Sequence, residues 1–256
     1  MHLEHLIPLW ATILLFTPPL LLVAVMLVRR RRQRLAWFRR LLMVLLLLVV
    51  ALRPATAIEG EQTERLNAEV LFVVDRTGSM NAEDYDGEQP RLDGVRADMR
   101  EVMSLTEGAR YGIIAFDSSA AQQLPLTTDA GAVEAWIDTL TTEPTVHSQG
   151  SNVDRPLHLL TSTLERTREE NPDSYLLVYV LSDGENTDDR ESESFSPAAG
   201  YVDGGAVLGY GTEEGGQMRA EGGPGDGEYI TGPDGAPGLS RIDEEQLGAM
   251  ADQLGV

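Results

Sequence analysis

The run Val70-Leu71-Phe72-Val73-Val74, with the residues that follow it, constrains this chain more than any other feature. Five consecutive apolar residues rich in Val and Phe are too few for a helix and fit a central parallel strand covered on both faces. The run stops at Asp75, and Thr77 and Ser79 follow at alternate positions. The carboxyl end of such a strand is where ligands bind in open α/β sheets. A carboxylate and two hydroxyls there have the chemistry of a hard-cation cradle.

The residues after Ala68 continue in the same style, short apolar runs alternating with segments of helical period, which is the pattern of a doubly wound, mostly parallel α/β sheet. Leu92, Val95, Met99 and Val102 recur at helical spacing. Tyr111–Phe116 reads as a second strand, Gln122–Leu126 as a short edge strand and Ala132–Leu140 as a short helix. Leu157, Leu160 and Leu164 give another helix one apolar face. Tyr175–Leu181 and Gly205–Tyr210 read as further strands. A Gly-rich acidic loop from Glu213 to Pro237 should contain a small hairpin near Tyr229-Ile230. A last helix from Asp243 to Leu254 carries Glu244 and Glu245 in its first turn, where the helix dipole favours them.

The amino terminus is of another kind. Residues Leu6 to Val28 are almost uninterruptedly apolar and reach the roughly 20 residues needed to span a bilayer. A cleavable leader would carry positive charge ahead of this run, and only His2, Glu4 and His5 precede it. A second apolar run, Leu41 to Leu52, reaches membrane thickness if it extends through Arg53-Pro54 to Ile58, with Arg53 snorkelling. The Arg-rich connection places itself in the cytoplasm by the positive-inside rule, so everything after Ile58 faces outward. The expected organisation is a first transmembrane helix within 1–28, a cytoplasmic basic loop at 29–40, a second transmembrane helix at 41–58, a linker at 59–67 and an extracytoplasmic domain at 68–256.

Charge divides along the same line. Eight of the 20 basic residues lie in the first 57 positions, beside a single carboxylate, Glu4. The remainder holds 12 Arg against 40 Asp and Glu, a net charge of −28, and the chain has no Lys. Such a surface argues against nucleic-acid binding. There is no Cys, which removes disulfides, thiolate nucleophiles and zinc–sulfur sites together, so the outer domain must rely on its core.

Three loops after strands bring oxygen ligands: Asp75, Thr77 and Ser79; Ser148 to Asn152; and Ser182-Asp183-Gly184-Glu185-Asn186-Thr187. In these residues the chain resembles the von Willebrand factor type A domains and their metal-ion-dependent adhesion site, whose pattern is Asp-x-Ser-x-Ser, a Thr on the second loop and an Asp on the third. It maps onto Asp75, Thr77 and Ser79, then Ser151, then Asp183. Thr77 stands for Ser and Ser151 for Thr, and both keep the hydroxyl. With the segments Leu52-Arg53-Pro54, Leu181-Ser182-Asp183-Gly184 and Ser240-Arg241-Ile242-Asp243-Glu244 in this order, the chain is more narrowly similar to bacterial membrane-anchored proteins of the Bat aerotolerance type.

The resemblance implies a Rossmann-like fold, a site for Mg²⁺ with Mn²⁺ or Ca²⁺ as alternatives, and a partner protein that offers a carboxylate to the metal. It also implies a multi-pass protein of the bacterial plasma membrane, and an indirect association with AAA+ ATPases of the MoxR kind. An alternative role is that of an assembly subunit in which the metal mainly stabilises the fold. In the resembling proteins another strand, and often a third membrane span, follows the last helix, so the resemblance implies either a sheet without its final edge strand or further sequence beyond Val256.

Enzyme readings fare worse. A phosphatase of the haloacid-dehalogenase type needs a second Asp where this chain has Thr77. No Gly-x-Ser-x-Gly elbow accompanies His147, which reads as a solvated loop residue. Gly209-Tyr210-Gly211 is followed by Gly215, one residue too late for a dinucleotide loop. Asp226, Glu228 and Asp234 fit no EF-hand spacing and read as a solvated acidic loop. The chain is expected not to be an enzyme.

Overall fold

The computed structural model describes residues 9–29, 34–52, 67–148, 150–188, 190–222, 225–232 and 235–256. The chain divides into two compact units, Met1–Gln62 and Thr63–Val256. In the first, both apolar runs are helical, α1 over Leu9–Arg29 with Pro18 and Pro19 inside it and α2 over Arg34–Leu52, and the two pack on each other. Among the described residues no helix is long and apolar enough to cross a membrane. The basic stretch at 30–33, the extension at 53–58, the linker up to 66, Gln149 and Asp234 lie outside the described residues.

The second unit begins with β1 (Ala68–Asp75), followed by β2 (Glu83–Tyr85) and β3 (Gln89–Pro90), which pair as a small hairpin. Then come α3 (Arg91–Leu105), β4 (Arg110–Phe116), β5 (Ala120–Thr127) and α4 (Ala130–Asp138). The chain continues with α5 (Leu157–Glu170), β6 (Tyr175–Ser182), α6 (Ser196–Ala199) and β7 (Gly204–Gly209). The short β8 (Gly216–Gln217) and β9 (Leu239–Ser240) pair with each other before α7 (Glu244–Leu254).

The main sheet has the order β5-β4-β1-β6-β7, parallel except for the antiparallel edge strand β5. Every residue of β1 is buried, and its alternation feeds two cores. Val70, Phe72 and Val74 pack with Leu92, Val95 and Met99 of α3 and Val133 and Ile137 of α4. Leu71 and Val73 face Leu157, Leu160 and Leu164 of α5 and Met250 and Leu254 of α7. Helices on both faces make the sheet doubly wound, as the apolar patterning requires.

Two local differences from the sequence reading have simple causes. Helix α4 starts at Ala130 because Asp129 caps it, its carboxylate accepting from Ala132 N–H at 3.1 Å. Helix α7 starts at Glu244 because Asp243 is the cap, accepting from Gln246 N–H at 2.9 Å.

Because β4 lies on one side of β1 and β6 on the other, the chain reverses direction across the sheet at β1. The loops after β1 and β6 therefore open into the crevice at that switch point. Strand β7 meets β6 so closely at Gly205 that a Cβ there would lie 1.8 Å from the carbonyl oxygen of Val178, and the residue has φ 140°. Gly205→Ala should cost several kcal/mol, on the order of 3 or more, through both clash and backbone strain. Urea denaturation of the variant beside the parent chain measures it, and a loss under about 1 kcal/mol contradicts this account.

Candidate metal centre

Asp75 ends β1 with 1 % of its surface exposed, and Asp183 follows β6 with none exposed. The backbone N–H and the hydroxyl of Thr77 both donate to Asp75 Oδ1, at 2.9 and 2.7 Å. Thr77 Oγ1 lies 2.8 Å from Ser79 Oγ, so the first loop forms a continuous chain of carboxylate and hydroxyls. The other carboxylate oxygen, Oδ2, accepts from Ser182 Oγ at 2.6 Å, which ties the first loop to the end of the neighbouring strand.

The second and third loops are laced together. Thr187 N–H donates to Ser151 O, Ser151 N–H donates to Thr187 Oγ1, and Ser151 Oγ donates to Glu185 O at 2.9 Å. Val153 N–H donates to Asn186 Oδ1 at 3.0 Å. These bonds fix Ser151 in the lining of a cavity of about 260 Å³ that Thr77, Ser79, Ser148, Glu185 and Thr187 also line. The hydroxyls of all three loops thus share one cavity, and the carboxylates of Asp75 and Asp183 are buried.

Arg91, the first residue of α3, is a partner that the sequence reading passed over. It is wholly buried, and its guanidinium donates to Asp183 Oδ2 from Nη1 at 2.7 Å. It also forks onto Asp84, with Nε to Oδ1 at 2.7 Å and Nη2 to Oδ2 at 2.9 Å, and reaches Ser240 Oγ and O at 2.8 and 2.9 Å. A signal for it was available: a cation in the first turn of a helix opposes the helix dipole, so an Arg there needs a carboxylate partner. Gly211, with φ 119°, is where the chain passes this guanidinium; a Cβ there would come within 2.6 Å of it. That close approach accounts for Gly211, while Gly209 lies against Leu247 and Ile242, so packing explains both glycines without a nucleotide.

One guanidinium serves both Asp183 and Asp84, and among the described residues no ion pair reaches Asp75. Burial, followed by the charge of Asp183, pushes the Asp75 carboxyl up to about 7. Burial raises Asp183 too, opposed first by Arg91. Among the described residues no group of three or more His, Cys, Asp or Glu is gathered to hold a metal ion. A cation here would rest on hydroxyl oxygens, and that donor set, with excess buried negative charge, fits a hard divalent ion. His147 is exposed, as are Asp226 and Glu228, and Asp226 accepts Gly222 N–H within its own turn at 2.8 Å.

Removing the guanidinium leaves two carboxylates buried without their counter-charge, so Arg91→Met should destabilise the fold by about 3–5 kcal/mol, with Arg91→Lys intermediate. Urea titration checks both, and a loss below about 1 kcal/mol for Arg91→Met refutes the role. Asp75 holds its proton more tightly in the folded chain than in the unfolded one, where its value is near 3.8. In EDTA that contribution is complete below 3.8 and is lost as pH rises through about 7. Stability should therefore fall across this window in the parent chain and fall less in Asp75→Asn, as measured by urea midpoints at a series of pH values.

Residues 70–185 match the family model of the von Willebrand factor type A domain. No curated relative matches the sequence. Among solved structures, the conserved hypothetical protein BatB from Bacteroides thetaiotaomicron is 21% identical, with a TM-score of 0.57 over 73% of this chain and 87% of that one. An aerotolerance-related membrane protein from Bacteroides fragilis, crystallised with multiple mutations to serines, is 22% identical, with a TM-score of 0.59 over 73% of this chain and 88% of that one. The matched segment runs from β1 to the loop after β6, so this part of the chain is that of a von Willebrand factor type A domain, and the fold is shared with these two Bacteroides proteins.

Proposed function

We propose that this protein is a membrane-anchored, non-catalytic recognition module whose type A domain binds a divalent cation, Mg²⁺ by preference, and through it an acidic residue of a partner protein. One observation carries the reading: the hydroxyls of Thr77, Ser79 and Ser151 share a cavity, while Asp75 and Asp183 are buried with one guanidinium between Asp183 and Asp84. Thr77, Ser79 and Ser151 would ligate the ion, and Asp75 and Asp183 would act on it through water. Hydroxyls do not neutralise the cation, so when bound it supplies an electrophilic centre for an incoming carboxylate. Asp75 and Asp183 supply the negative charge that draws a cation to the site. Mn²⁺ and Ca²⁺ meet the same donors and differ in size and ligand number.

The anchor is the part of the proposal that rests on the first unit. Its helices expose large apolar side chains, among them Leu14, Leu15, Leu42, Met43 and Leu46, which water does not favour and lipid does. The arginines between the apolar runs support a cytoplasmic connection with the domain outside, and the resemblance to Bat-type proteins supports a bacterial plasma membrane. The Bacteroides fragilis relative is itself described as a membrane protein.

A second reading is favoured by the Arg91 cluster, which joins Asp183 to Asp84 and Ser240. A cation beside so much buried charge could serve mainly to stabilise a subunit of a larger membrane assembly, one linked to MoxR-type ATPases.

Mn²⁺ binding to the full chain, followed by electron paramagnetic resonance, should be displaced by Mg²⁺ and weakened at least about tenfold in Asp75→Ala and in Asp183→Ala, since each removes a charge from the cation's surroundings. Unchanged affinity in both variants defeats the metal proposal. Pull-down from solubilised membranes in Mg²⁺ and in EDTA separates the two readings: metal-dependent capture supports recognition, and a rise in melting temperature without it supports assembly.

A further inference from the structure

Met218, Ile230 and Leu239 belong to neither core of the type A domain. All three line the cavity that carries Thr77, Ser79 and Ser151. They come from three segments of the chain between β7 and α7, held in register as one small platform. Ile230 N–H donates to Met218 O at 2.9 Å, Gly238 N–H to Ile230 O at 2.8 Å, and Met218 N–H to Gly238 O at 3.4 Å.

The platform is fastened to the first loop. Met218 bridges Ala82, and Asn81 Nδ2 donates to Arg219 O at 3.1 Å. Arg219 pairs with Glu83 at 2.7 Å and lies over the Tyr229 ring at 4.0 Å, while the Tyr229 hydroxyl donates to Glu83 Oε2. The lining of the cavity therefore combines hydroxyl-bearing side chains and the Glu185 carboxylate with an apolar part made of three aliphatic side chains. Because backbone hydrogen bonds already hold the apolar part, a ligand would lose little free energy in ordering it.

We infer that the ligand of this cavity is a carboxylate with a Leu-sized aliphatic side chain beside it. The carboxylate meets the hydroxyl-bearing side chains and their cation, and the aliphatic group covers Met218, Ile230 and Leu239. This rests on the cation reading above. Two sources supply that chemistry: an internal Asp or Glu next to an aliphatic residue, or a chain terminus that ends in one.

The test uses the full chain in lipid nanodiscs with Mg²⁺, empty nanodiscs as blank, and four peptides observed by saturation-transfer NMR. They are acetyl-Gly-Asp-Leu-Gly-amide, acetyl-Gly-Asp-Gly-Gly-amide, acetyl-Gly-Asn-Leu-Gly-amide, and acetyl-Gly-Gly-Leu with a free carboxylate. The Asp-Leu peptide or the free-carboxylate peptide should bind about tenfold more tightly than the Asp-Gly peptide, the effect of partly burying one Leu side chain. Whichever of the two binds better identifies the source. Ile230→Ser should remove the advantage while Mn²⁺ affinity stays as in the parent chain.

Equal binding of Asp-Leu, Asp-Gly and free-carboxylate peptides, with Mn²⁺ still bound, overturns this inference and leaves the metal reading standing. Binding of the Asn-Leu peptide as tight as that of Asp-Leu also overturns it. Absence of Mn²⁺ binding to the parent chain, or peptide binding unaltered by EDTA, overturns both.

Discussion

The interactions of Arg91 hold the functional end of the domain together. A buried guanidinium is tolerable only when its donors are all used, and here they reach Asp183 after β6, Asp84 in the hairpin before α3, and Ser240 in β9. Three segments far apart in the chain are thereby fixed around one planar cation. The same guanidinium requires Gly211, since any side chain there would collide with it. The third loop, through Asp183, and β9, through Ser240, are both tied to this one residue.

Around that hub the domain separates two kinds of work. The doubly wound sheet supplies stability through two apolar faces, each covered by helices. The loops at the carboxyl ends of β1 and β6 carry oxygen atoms into the crevice where the strand order reverses. Asp75 illustrates the tension between the two roles. It belongs to a wholly buried strand, has the charge of Asp183 near it and is hydrogen-bonded by Thr77 and Ser182. A carboxylate so placed is costly to ionise alone, and a bound cation offsets that cost.

Much of this was legible in the residues. The short apolar run Val70–Val74 and the strand Tyr175–Leu181 fall where their patterns place them, because burial in the sheet leaves a direct mark on composition, and the edge strand near Gln122 shows instead the alternating exposure of an edge. The loops that bear Asp75, Thr77 and Ser79 and that bear Asp183 are polar clusters after strands, as their patterns place them, whereas the loop with Ser151, expected after a strand, instead follows α4 and leads into α5. Arg91, by contrast, sits between Pro90 and Leu92, and only its unfavourable place in the first turn of a helix hints at a carboxylate partner, without saying which. Met218, Ile230 and Leu239 are single apolar residues in a Gly-rich stretch, with no periodicity to mark them.

The sequence by itself determined the sheet's central strand, the apolar helices of the first unit and the oxygen-bearing residue types of the three loops, since period, run length and side-chain type are local properties. Only the tertiary structure decided which carboxylate receives the guanidinium, which hydroxyls share a cavity, and that three aliphatic side chains line it with them. Those facts depend on contacts between residues up to 149 positions apart, as Arg91 and Ser240 are. No local pattern encodes such a distance; it is set by strand order and by the need to satisfy every buried polar group at once.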